Sequence, residues 1–147
     1  MKKFEWRLQR VLDIRIMQEQ KARSELFTIT EQLAAFRTQL LLQKKILEDI
    51  INEMSRNNTK DRIFEQEFFL SNSAASNNKI NKLKEKIKEL ELQQKQKIQD
   101  VLQLRKATEG MEKLRTEAKE RYIKEQEIIE QKELDEESGI LFVRNLI

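Results

Sequence analysis

The chain of 147 residues has no proline, no histidine and no cysteine, and its only glycines are Gly110 and Gly139. Sandwiches, barrels and βαβ folds need turn residues at every strand end, so this scarcity excludes them as expectations. The lack of cysteine removes disulfides, thiol nucleophiles and thiolate metal sites. The lack of histidine removes the side chain that most often moves protons or binds metals near neutral pH. Aromatics make up 6% of the chain, too few to build a base-stacking platform, whereas charged residues make up 37%. Glu, Lys, Leu, Gln and Arg dominate, which is the composition of a long helix or coiled coil. The fold class expected is therefore all-α, elongated and not enzymatic.

Lys and Arg number 29 against 26 Asp and Glu, so the net charge of +3 is a small difference between large sums. Such a balance does not point to nucleic acid. The start, MKKFEWRLQRVL, is basic but has no uninterrupted apolar core and no small-residue cleavage site, and it does not read as a signal peptide. No segment reaches the ~18 apolar residues of a membrane span. A soluble, cytoplasmic protein is expected.

From Ala22 to Met54 the apolar positions step alternately by four and three: Ala22, Leu26, Ile29, Leu33, Phe36, Leu40, Leu47, Ile50 and Met54, with Gln43 as the polar member. That is a heptad seam on one stripe of a helix. Before Ala22 the pattern broadens over Leu8, Val11, Leu12, Ile14 and Ile16, while Arg15 and Glu19 fall at the extrapolated positions. Helix one is expected from about Lys3 to Arg56, roughly 80 Å at 1.5 Å per residue. A second seam runs through Ile80, Leu83, Ile87, Leu90, Val101, Leu104 and Met111, with Gln94, Lys97 and Thr108 between. It continues as Leu114, Ala118, Tyr122 and Ile129, with Glu125 between the last two. This seam is more polar than the first and is expected to open more easily. Ser138-Gly139 predicts a stop at about Glu137, followed by an apolar tail over 138–147.

Asn57-Asn58-Thr59-Lys60-Asp61 is the best break signal, and SNSAASNN over 71–78 is a second, weaker one through which helix could also pass. A helix with a 3.5-residue period needs a partner to cover its stripe. The mid-chain break favours an antiparallel hairpin in cis, since closing a short loop costs little entropy. A parallel dimer of one continuous helix is the alternative. An early turn at 57–61 sets Phe36 against Leu83, Leu33 against Ile87 and Ile29 against Leu90, and leaves two dozen C-terminal residues overhanging. A wide tip over 57–78 sets Ile50 against Leu83 and Leu33 against Val101. The spacing alone fits both, in a single coiled-coil domain over 1–147.

Two helices offer no concave pocket for catalysis. No glycine-rich phosphate loop exists, and no cofactor or metal is expected. Glu133, Asp135 and Glu136 in the acidic run 130–137 point in different directions on a helix, which does not suit a metal. Residues 2–23 carry seven Lys or Arg against three acids, and residues 79–106 carry nine against four. Nucleic-acid binding through such stretches would be nonspecific and salt-sensitive; a solvated face or a docking surface for an acidic protein accounts for them better. Trp6 beside Phe4 on an Arg-rich segment has the character of an interface anchor or of a cover for the stripe's edge. Ile63, Phe64, Phe68, Phe69 and Leu70 are too apolar for a lone helix, and either pack the distal end or dock a partner.

The segment Phe4-x-x-Arg7-Leu8-Gln9-x-Val11-Leu12-x-x-Arg15, followed by Glu19 and Ala22, resembles the N-terminus of the flagellar export protein FliJ family. Met111-Glu112-Lys113-Leu114-Arg115, with Lys119, Tyr122, Glu125 and Gln131-Lys132-Glu133-Leu134-Asp135-Glu136, resembles that family's C-terminal half. The layout matches over nearly the whole chain, and the departures are SNSAASNN and the apolar last residues. The resemblance implies a cytoplasmic antiparallel coiled coil similar to the central stalk of rotary ATPases. It would insert into the ring of the export ATPase (FliI-like), contact the export gate protein (FlhA-like) and escort export chaperones. It would sit peripheral to the inner membrane at the flagellar base without entering it. By this analogy Phe4, Arg7, Leu8, Val11, Arg15, Leu114, Tyr122, Leu134 and Asp135 belong to the ATPase-docking end, and Phe64, Phe68 and Phe69 to the gate contact. The family layout also favours the early turn. A purely structural spacer and a stalk protein of a virulence type III secretion system are the competing readings.

Overall fold

A computed structural model describes residues 2–56 and 59–146, and these form two long helices, α1 over Gln9–Arg56 and α2 over Thr59–Leu146. No strand occurs among the described residues. Without proline nothing removes a backbone donor inside either helix. Thr28, Thr30 and Thr38 are tolerated inside α1 because each hydroxyl donates back to a carbonyl one turn earlier, on Ser24, Leu26 and Ala34. The all-α hairpin expectation is borne out: the two helices pack against each other in cis and antiparallel.

The chain forms two compact units, Lys21–Val101 and Met1–Gln20 with Leu102–Ile147. In the first, Leu33 (1% exposed), Ile87 and Leu90 are buried together, with Phe36 and Leu40 packed against them. Removing a leucine side chain of this burial from water contributes roughly 2 kcal/mol. The α1 seam from Ala22 to Met54 is the inward stripe throughout, every member buried or half-buried. Polar seam positions find matched partners, Gln94 donating to the Thr30 hydroxyl at 3.2 Å and the Lys97 ammonium pairing with Glu25, and at the exposed edge Arg37 reaches Glu91 at 3.1 Å.

Those pairs account for the register. Leu33 meets Ile87, as an early turn requires. The shift that would set Leu33 against Val101 would also set Arg37 against Lys97 and Glu25 against Glu109, like charge on like charge. The turn expected at 57–61 falls partly on Asn57 and Asn58, which lie outside the described residues, and helix resumes at Thr59.

Three element boundaries differ from the sequence reading. SNSAASNN is helix, not a tip: Ser71 and Asn72 donate to the Phe68 carbonyl at 2.8 and 2.9 Å, and Ser73 to that of Leu70 at 3.1 Å. Small polar side chains here bond their own helix rather than ending it. Ser138-Gly139 does not stop α2, which runs to Leu146; a glycine terminator needs the left-handed conformation, and neither glycine has positive φ. At the other terminus α1 begins at Gln9 rather than Lys3, because the Gln9 amide bonds the Trp6 carbonyl at 3.1 Å in a turn.

Candidate functional site

Residues 2–8 run non-helically onto α2 within the unit Met1–Gln20 with Leu102–Ile147. The Phe4 ring lies 5.4 Å from that of Tyr122, tilted by 50°, and the Arg115 guanidinium stands 5.6 Å from the Phe4 centroid. Such tilted aromatic and cation–π geometries are the favourable ones for a ring quadrupole. Tyr122 donates its hydroxyl to the Lys2 carbonyl, and Arg115 Nε donates to Gln9 Oε1 at 2.7 Å. Gln9 in turn donates to Asp13 at 3.0 Å. Phe4 is thus clasped between a cation and a phenol, and it fixes the start of the chain to the middle of the C-terminal half.

Further along this unit, Leu12, Ile16 and Glu19 form the inward stripe of α1, so the seam position belongs to Ile16 and not to Arg15, which is exposed. Glu19 is 5% exposed, with Arg105 at 3.7 Å; Arg105 also bonds Glu109 at 2.9 Å. The hydrogen bond that Arg105 donates to Glu109, with the nearby Glu19 charge, raises the Arg105 pKa above its ordinary value. Beside them Thr108 is fully enclosed and returns its hydroxyl to the Leu104 carbonyl at 2.9 Å. On α2 the seam reads Val101, Leu104, Thr108, Met111, Arg115, Ala118 and Tyr122, all buried or half-buried. Leu114, expected on it, is exposed, and Arg115 takes that place. The step of three from Met111 to Leu114 made leucine the natural reading; the step of four, which keeps the heptad, selects arginine.

Of the nine residues assigned to the docking end, the structure joins Phe4 and Tyr122 directly. Leu8 is half-buried nearby in sequence, while Arg7, Val11, Arg15 and Leu114 are exposed on the same unit. Leu134 and Asp135 lie on the part of α2 beyond Tyr122, where every side chain from Glu127 to Leu146 is exposed. The overhang expected for the early-turn register is therefore present, as helix. The sequence reading missed Gln9, Glu19, Arg105 and Arg115 as partners; their complementary charge or amide chemistry points to the pairs only once the register is fixed.

In the other unit, Phe64 and Phe68 are 79% and 60% exposed and Phe69 is half-buried, with Ile63 and Leu70 also open. Phe64 and Phe68 thus stand free of the seam, a pattern of side chains available to another surface. Among the described residues no cluster of three or more metal-ligating side chains occurs, and no helix is long and apolar enough to cross a membrane.

An antiparallel pair of long helices, uncovered on α2 beyond Tyr122 and with Phe64 and Phe68 exposed, defines an all-α coiled-coil hairpin. The chain belongs to the flagellar FliJ protein family: the family model described as Flagellar FliJ protein matches residues 3–146. It is accordingly associated with flagellar protein export. No curated protein and no solved structure matches it.

Proposed function

We propose that this protein is a non-catalytic stalk of the flagellar type III export apparatus. It docks into the ring of the export ATPase (FliI-like) and promotes the ring's assembly or activity. It also links the ring to the export gate (FlhA-like) and escorts export chaperones, from the cytoplasmic side at the flagellar base. The observation that carries the reading is the end of unit Met1–Gln20 with Leu102–Ile147, where a clasped N-terminal segment adjoins the 20 uncovered residues of α2 from Glu127 to Leu146. A partner that encloses this end covers the exposed side chains there, which no other element among the described residues does.

The mechanism follows from symmetry. A single hairpin inside a ring of identical subunits contacts only some of them at a time. If its contacts differ between nucleotide states, it shifts the ring toward the states it binds best. It supplies no reacting group. Arg7 and Arg15 are exposed basic residues at this end. The Arg7→Glu, Arg15→Glu double variant is expected to fold with unchanged helicity and to lose most of its stimulation of the export ATPase at physiological salt. Full stimulation by that variant contradicts docking through this surface. The same reading assigns Phe64, Phe68 and Phe69 to the gate.

A further inference from the structure

The stripe of α2 that α1 covers does not end where α1 ends. Arg115, Ala118, Tyr122 and Gln126, all half-buried, are its last covered members. Past them the same three-and-four spacing continues through Ile129, Glu133, Glu136, Ile140 and Val143. These five lie on one stripe of a helix that is unbroken to Leu146. All five are exposed, and neither Glu133 nor Glu136 makes an ion pair among the described residues. A shallow groove beside the stripe is bordered by Glu136, Gly139, Ile140, Val143 and, at its C-terminal edge, Arg144, and a side chain added at Gly139 would meet open space.

We infer that this continuation of the seam is a binding site for one basic amphipathic helix of a partner protein. That helix takes up the place α1 leaves vacant. Apolar residues on it would meet Ile129, Ile140 and Val143, and Lys or Arg would meet Glu133 and Glu136, two acids in the centre of the stripe. The arrangement continues an interface already formed in this unit, where Glu19 on one helix faces Arg105 on the other. Charge selects the occupant. Residues 123–146 carry seven acids against three bases in a chain of net charge +3, so the same segment of a second copy is repelled, as is nucleic acid. Like charges facing each other across a seam are what helical pairs use to reject wrong partners. The inference deepens the docking reading by giving the chemistry of the element that binds this end, and it rests on that reading only for which protein supplies the helix.

The test uses the full chain and two synthetic helical peptides of about three heptads with leucine at the core positions. One carries Lys at the remaining core and flanking positions, the other Glu. Binding is followed by fluorescence anisotropy of labelled peptide at near-physiological salt. The basic peptide is expected to bind at least tenfold more tightly than the acidic one. Glu133→Lys with Glu136→Lys should abolish that preference, and Gly139→Trp should weaken the basic peptide at least tenfold without changing the circular dichroism spectrum. Glu120→Lys with Glu127→Lys makes the same charge change on the opposite face and should alter affinity less than threefold. Equal binding of both peptides, or equal losses from the two charge-reversed pairs, would overturn the site. So would a dimer of this chain dissolved by Glu133→Lys with Glu136→Lys, which would make a second copy the occupant. Loss of peptide preference in that variant with ATPase stimulation intact upholds the helix site and removes the ATPase as its occupant. Unchanged peptide binding with stimulation lost removes the site and leaves the docking reading standing.

Discussion

Lys97 shows how a polar residue is kept in a heptad seam. Its ammonium meets the Glu25 carboxylate across the interface, and that hydrogen bond, followed by the Lys97 and Lys21 charges, holds the Glu25 carboxyl below its usual range. A carboxyl with a lowered folded-state pKa stabilises the fold above its ordinary titration range and loses that contribution as pH falls through the lowered value. Glu25→Gln is therefore expected to lower the thermal midpoint slightly at pH 7. The gap between the variant and the parent should close as pH falls below about 4. Midpoints measured by circular dichroism across pH 7 to 3 check this; a gap that stays constant through that range contradicts it. Glu19 with Arg105 and Gln9 with Arg115 place the same kind of pairing in the other unit. Each is a polar residue whose facing partner is separated from it by most of the chain. The sequence shows both residues but not that they meet, because the meeting depends on a register that hydrophobic spacing leaves open.

At the scale of the helices, periodicity made most of the fold legible. The run Ala22 to Met54 needed no correction, since a strict alternation of three and four puts every member on the buried stripe. The boundaries were less legible, for a common physical reason. Serine, asparagine and glycine end helices only when they adopt non-helical geometry, and their presence does not show that they do. Ser71, Asn72 and Ser73 bond the preceding turn of their own helix, and Gly139 stays helical. Phe4 is the converse case: its segment is compatible with helix but gains more by packing on Tyr122 and Arg115. Gly110 lies inside α2, where an added Cβ meets nothing within 4 Å. Its backbone freedom is a cost with no compensating contact, so Gly110→Ala should stabilise the hairpin by about 1 kcal/mol. Denaturant titration measures this directly; a neutral or destabilising result would mean that helix at Gly110 is not the resting conformation.

For the whole molecule, the seam explains both the cis hairpin and the surfaces left for others. Pairing α1 with α2 inside one chain covers the stripe from Leu12 to Met54 and leaves apolar residues exposed elsewhere, among them those of α2 beyond Tyr122 and the cluster around Phe64 and Phe68. Membership of the flagellar FliJ family gives these surfaces a setting in export. The residues that resemblance assigns to docking are not all brought together. Phe4 and Tyr122 came from resemblance and are joined in the fold; Leu114 came from the same resemblance and stands outside the seam. The proposed role requires one chain to form a cis hairpin that engages the export ATPase ring. Size exclusion with multi-angle light scattering, run alone and with the export ATPase and a non-hydrolysable nucleotide, reads both properties. A monomer of 17.7 kDa that moves into the ring complex is expected. A stable dimer that stays apart from the ATPase would contradict it and leave a structural spacer.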